Sequence, residues 1–178
     1  MKNYKWLVIF VIFILFVAGF WLKISNTNVV KNFKNTKSVD KSNQNIDVEN
    51  NNSPKIIING HTFFVEVAVD SAIQKKGLST RDSLAQDSGM PFNYPAKSIL
   101  SFWMKDMKFN IDLLWINDDK VLGIEKNMPA PLAGTEDKDL LIYSSAEPVN
   151  RVLEINGGLV DQYGLKVGDS LEYQNINF

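Results

Sequence analysis

The residues that could do chemistry sit in three stretches. "SFWMKDMKFNID" (101–112) carries Trp103, Lys105 and Asp112, "STRDSL" (79–84) carries Arg81, and "RVLEINGG" (151–158) carries Glu154. Asp112 and Glu154 are acids set inside apolar, β-like runs. If the two converged they would form the carboxylate pair of a hydrolase or lyase, with Arg81 or Lys105 as an electrostatic aid. The rival reading needs no catalysis. Trp103, with Lys105 beside it, lines an apolar groove that takes a small-molecule or protein ligand, and Arg81 and Asp112 add polar contacts. The residues favour this second reading, because nothing in the spacing brings the two acids together. Asp112 also has a plain structural role, as an acid bracing a hairpin by ion pairing. An unpaired buried charge is costly, and Lys105 and Arg81 are the cations available to it.

Other chemistries are excluded by what the chain lacks. It has no cysteine and one histidine, His61, so thiolate catalysis, disulfides, Cys-bound zinc and a multi-histidine metal site are ruled out within one chain. No metal or cofactor is expected. Asp118-Asp119 and "TEDKD" (135–139) lack the ligand spacing of a calcium loop, and no Gly-rich phosphate cradle occurs. "GLKVGDSL" (164–171) is read as a Gly-Asp turn and His61 as a surface residue beside a turn. The net charge of −1 offers nucleic acid no general attraction. Residues 1–54 carry +4 and residues 55–178 carry −5, so a basic arm precedes an acidic domain.

The elements that must position these side chains are mostly strands. Asn59-Gly60 divides two β-rich runs, the signature of a tight hairpin. Asp70 is placed to cap a short helix over residues 71–76, with Gly77 at its end. "GMPFNYP" (89–95) reads as an irregular apolar loop. Residues 98–105 and 111–117 read as two strands of a hairpin. Alternation puts Leu100, Phe102 and Met104 on its core side, and Trp103 and Lys105 on the other. Further strands are expected at 120–126, 140–143, 149–155 and 170–173, with a short helical turn in "GGLVDQYG". The fold class is therefore mainly β: a compact sandwich or partly open barrel with a few short helices, over residues 55–178.

A different physics governs the start of the chain. From Trp6 to Leu22 every residue is apolar or Gly, flanked by Lys5 and Lys23. Seventeen helical residues reach about 25 Å, the short end for a bilayer core of about 30 Å. Tyr4, Trp6 and Trp21 suit the interface, and the lysines snorkel. Residues 1–24 are read as a single-pass membrane anchor, with a cleaved secretion signal as the alternative. The charge count does not choose an orientation. The short N-terminal flank favours an extracytoplasmic domain. Residues 25–54 hold nine Asn with scattered Lys, Ser and Asp, the composition of a disordered tether.

"KKGLSTRDSL", "GMPF", "SFWMKDMKFNIDLLWIN", an "MP" at 128–129 and "RVLEINGGLVDQYGLKVGD" follow one another in an order resembling the domain-of-unknown-function 192 family, also called the UPF-type 0127 family. The resemblance spans about residues 56–174. It implies a small, mainly β sandwich or barrel; members are often bacterial or archaeal, and many carry an N-terminal signal or anchor. It implies no defined activity. The family's recurring positions fall here on Gly77, Leu78, Arg81, Leu84, Gly89, Met90, Phe92, Phe102, Trp103, Met104, Lys105, Asp112, Pro129, Leu153, Glu154, Gly158, Gly168 and Asp169. Ser79, Asp106-Met107 and Asn110-Ile111 depart from the family pattern, which has Met, Asn-Thr and Pro-Leu there.

Overall fold

A computed structural model of the chain describes residues 52–178. The expected anchor and nearly all of the expected tether lie outside these residues. Nine strands and two short helices follow in order: β1 (Lys55–Ile58), β2 (His61–Val65), α1 (Ser71–Lys76), β3 (Ser88–Ser98), β4 (Ser101–Trp103), β5 (Ile111–Asn117), β6 (Lys120–Met128), β7 (Ile142–Ser144), β8 (Val149–Asn156), α2 (Leu159–Tyr163) and β9 (Leu171–Gln174). Seven strands form one sheet in the order β6-β5-β8-β3-β2-β1-β9, and β4 pairs with β7 in a separate ribbon. Among the described strands, β2 and β3 are the one parallel pair.

The large sheet curls until its edges meet at one end. Val121 N–H donates to Asp169 O at 3.0 Å, Gly168 N–H to Val121 O at 2.8 Å, and Leu171 N–H to Asp119 O at 2.8 Å. The result is a partly open barrel rather than two stacked sheets. Its interior holds Ile56, Phe63, Leu114, Ile116, Leu153 and Ile155, closed by Leu159 and Val160 of α2. The outer face carries a second core of Met90, Phe92, Leu113, Trp115 and Val152, covered by Leu78, Met104 and Met107. Inner strand β5, next to the edge strand β6, is thus buried on both sides, which is why "IDLLWI" is nearly all apolar instead of alternating.

Local chemistry explains the turns. Asn59 (φ 50°) and Gly60 (φ 80°) join β1 to β2, both left-handed as a two-residue hairpin demands. Asp70 accepts from Ala72 N–H at 2.9 Å and Ile73 N–H at 2.8 Å, capping α1.

Two expectations are corrected. "GMPFNYP" is not a loop but part of β3, an inner strand of the sheet. Its prolines are tolerated because they fall where pairing lapses: the regular ladder with β2 ends at Gly89, and the register with β8 shifts between Asn93 and Ser98. Pro91 still contributes its carbonyl, which accepts Ala68 N–H at 2.9 Å. The second correction concerns the hairpin of 98–105 with 111–117, which does not form. Both edges of β5 are taken, by β6 and β8, so β4 has no place beside it and pairs with β7 instead.

Asp112 is also placed differently from expectation. It is fully buried on the barrel side and, among the described residues, forms no ion pair. One carboxylate oxygen accepts Asn127 N–H at 2.6 Å, near the end of β6, and the other accepts Val160 N–H at 2.7 Å in α2. Replacing it strands one buried and one part-buried donor, so Asp112→Ala is expected to cost about 2–3 kcal/mol, read from urea unfolding. A loss below about 1 kcal/mol would show that the clamp is not a structural keystone.

Candidate functional site

β8 alternates between the two cores, with Leu153 and Ile155 inside the barrel and Val152 and Glu154 outside it. Glu154 lies opposite Leu113 of β5 and Met90 of β3, whereas Asp112 lies opposite Ile155. Directly paired residues share a face, so the two acids point to opposite sides of the sheet. The carboxylate pair of a hydrolase or lyase does not exist in this arrangement.

Glu154 instead forms the floor of a cleft of 170 Å³. One wall is the end of α1 and the Gly77–Ser79 turn; the others are Phe92 and Tyr94 of β3, and Ser101, Phe102 and Trp103 of β4. Gly77 leaves the floor open. At φ 52° it ends α1 in a conformation L side chains rarely adopt, and a Cβ there would lie 3.4 Å from the Phe92 ring and 3.6 Å from Glu154 Oε2. Phe92 and Phe102 pack edge to face, with ring centroids 5.1 Å apart.

The electrostatics of the floor are unusual. Glu154 is 6% exposed, and among the described residues its Oε2 has no hydrogen-bond partner. Burial pushes its pKa up to about 8, against a smaller opposing pull from the Arg81 guanidinium. Arg81 is itself committed to Glu66, at 2.8 Å. The Tyr94 hydroxyl is raised too, first by burial and then by the nearby Glu154 charge.

Trp103 stands at the rim, 42% exposed, opposite the exposed Ile142 of β7. Lys105 Nζ lies 5.6 Å from the centre of the Trp103 ring and pairs with Asp137. The alternation read from sequence therefore holds although the hairpin does not: Met104 is buried and Phe102 half-buried, while Trp103 faces outward. Of the residues expected to act together, the structure gathers Trp103 with Glu154 in one cleft, and sets Lys105 over the Trp103 ring at the edge of a neighbouring hollow with Asp137. It leaves Arg81 at a separate hollow with Glu66, and Asp112 on the far face. His61 is half-buried and stacks on Tyr163 at 4.1 Å, away from the cleft. Sequence reasoning missed Gly77, Phe92 and Tyr94 as walls. The one available signal was an acid between apolar neighbours in "VLEIN", which marks a buried charge but not what surrounds it.

Residues 55–173 match the family model DUF192, described as an uncharacterized ACR. The chain belongs to the DUF192 family. Two solved structures are similar to it, each with 33% sequence identity and a TM-score of 0.59. One is a protein of unknown function from Novosphingobium aromaticivorans DSM 12444, covering 66% of this chain and 83% of its own. The other is a "putative transcription regulator" from Sinorhizobium meliloti 1021, covering 69% of this chain and 93% of its own. Comparison with curated proteins gave no match. Among the positions where the sequence resembles DUF192 proteins, Gly77, Leu78, Phe92, Phe102, Trp103 and Glu154 all line this one cleft.

The buried acid predicts a pH dependence. Between its unfolded value of 4.5 and its folded value of about 8, Glu154 binds a proton in the folded state that the unfolded chain has released. Stability should therefore be fullest below that window and fall as pH rises through it, by on the order of a few kcal/mol between pH 5 and pH 9. Glu154→Gln should flatten the slope in denaturant titrations across that range. An unchanged slope would remove Glu154 as its source.

Proposed function

We propose that this protein is a membrane-tethered, extracytoplasmic binding module, and that the cleft between Trp103 and Glu154 is its capture site. In this reading residues 6–22 anchor the chain and residues 25–54 hold the domain off the bilayer. The observation that carries it is a buried, unpartnered carboxyl at the bottom of an aromatic-walled cleft. Buried polar groups are ordinarily paired, and an exception lining a concavity is supplied with its partner by whatever enters. Trp103, partly exposed and carrying Lys105 over one face, forms the rim of contact.

Binding is favoured over catalysis by what stands around the acid. Hydrolysis by a carboxylate pair needs a second acid or base within reach of the same substrate, and Asp112 faces the barrel interior with both oxygens on backbone N–H groups. A lone protonated acid is suited to orienting a ligand. The name of the Sinorhizobium relative would suggest nucleic acid as a partner. The balance of −5 over residues 55–178 argues against carrying that over.

Two measurements test this reading. Trp103→Ala should change stability by less than about 1 kcal/mol, because the ring is exposed at the rim, yet abolish photo-crosslinked capture of partner or ligand by the full-length chain. Global unfolding of the variant would make Trp103 core and remove the groove. For location, a C-terminal alkaline-phosphatase fusion should be active; an inactive, stably expressed fusion would place the domain in the cytoplasm.

A further inference from the structure

The cleft is small beside the roughly 300–1,000 Å³ that encloses a drug-sized ligand. It admits the end of a molecule, and the chemistry of its floor and mouth restricts which end. Resting on the ligand-binding reading above, we infer that the cleft takes a primary ammonium group carried on a neutral or anionic body. Glu154 lines the floor at 6% exposure, and its enclosed Oε2 has no donor among the described residues, so a ligand group must seat tightly against Gly77 and the carboxyl to meet it. An ammonium supplies three N–H donors and the opposite charge, which no neutral hydroxyl matches.

The walls agree. Tyr94, Phe102 and Trp103 line the cleft with partly exposed aromatic rings, whose negative faces attract cations, over the buried Phe92. Lys105, which lies over the Trp103 ring at 5.6 Å, is paired with Asp137. The mouth sets the rest of the ligand. Lys75 and Lys76 of α1 line it, and neither ammonium is paired with an acid among the described ion pairs. A second cation on the ligand would meet these two lysines, whereas a phosphate or carboxylate would be attracted.

The charged and titratable groups facing Glu154 can be named by element: Arg81 from the segment after α1, Tyr94 from β3, and Lys75 and Lys76 at the mouth. Arg81 is held by Glu66, so it does not already fill the role of the incoming cation. At pH 7 the empty cleft holds Glu154 mainly protonated. An arriving ammonium favours the carboxylate, and the proton leaves to solvent. Binding is thereby coupled to the release of about one proton.

The test is calorimetric titration of the full-length chain at pH 7, repeated in buffers of different ionisation heat. The probes are ethanolamine phosphate, 2-hydroxyethyl phosphate and putrescine. Wild type should bind ethanolamine phosphate with release of about one proton. The hydroxyl analogue and the diamine should each bind at least about tenfold more weakly. Glu154→Gln should lose the proton release and about tenfold in affinity, and its own unfolding curve reports that it is folded. Equal affinity for the hydroxyl analogue, or binding by wild type without proton release, would overturn the ammonium. So would silence from all three probes in a protein that still crosslinks through Trp103. In each of those outcomes the Trp103-dependent capture stands, so failure of the ligand class is distinguishable from failure of the binding module.

Discussion

The carboxylate of Asp112 is the interaction on which the rest of the domain depends. It sits on the strand that is buried on both faces, and its two oxygens reach away from that strand in different directions. One holds the backbone near the end of β6 and the other holds the first turn of α2. A charge at 0% exposure is tolerable only when its acceptor capacity is used, and two short bonds to backbone N–H groups use it. The clamp ties the helix that closes the barrel to an inner strand of the sheet. β5 in turn is hydrogen-bonded on both edges, and that displaces β4 to the outer face. The ribbon that carries Trp103 exists in its observed place because β5 has no free edge.

Glu154 is the same problem left unsolved. It lies one strand away on β8, and the period of two turns it to the outer core where Asp112 faces the inner one. No backbone N–H is directed at its Oε2, and the nearest favourable charge is engaged elsewhere. A domain of this size has only about 5–15 kcal/mol of net stability to spend, so an unmet buried acid is a cost that packing alone does not explain. Replacement by an apolar residue of similar size would relieve it. The acid makes physical sense where something outside the chain completes it.

What could be read from the sequence divides along the range of the interactions. The Asn59-Gly60 hairpin and the Asp70 cap are set by residues within a few positions, and each forms as read. The alternation over residues 100–105 is local as well, and it ordered Phe102, Trp103 and Met104 correctly. Strand partners are not local. Whether β4 joins β5 or β7 is decided by competition for edges among strands far apart in the chain, Ile111 pairing with Asn156 and Ser101 with Ser144, which no property of "SFWMKDMKFNID" contains. β3 was hidden by Pro91 and Pro95, whose missing donors matter only where a neighbour asks for them. For the site, Trp103, Lys105 and Glu154 were each legible as unusual residues. Their meeting with Gly77 and Tyr94 was not, because it needs the outer core to fold first.

The two halves of the cleft differ in how firmly they are held. Glu154 rises from β8, which is hydrogen-bonded to β3 on one side and β5 on the other, so the floor is fixed by the centre of the sheet. Trp103 belongs to a ribbon of two three-residue strands, a unit with little stability of its own that depends on Phe102 and Tyr143 packing against the outer core. A rigid acid facing a lightly held aromatic wall separates two tasks. The floor imposes the chemical demand, since an oxygen buried without a donor discriminates strongly between groups that supply one and groups that do not. The wall adapts its shape at small energetic cost, because moving a peripheral ribbon disturbs few of the contacts that keep the barrel closed. The opposing face, where Asp112 has both oxygens bound and α2 seals the interior, has no such freedom. In the proposed reading the functional weight of this fold therefore falls on the side where the Oε2 of its second carboxyl was left without a partner.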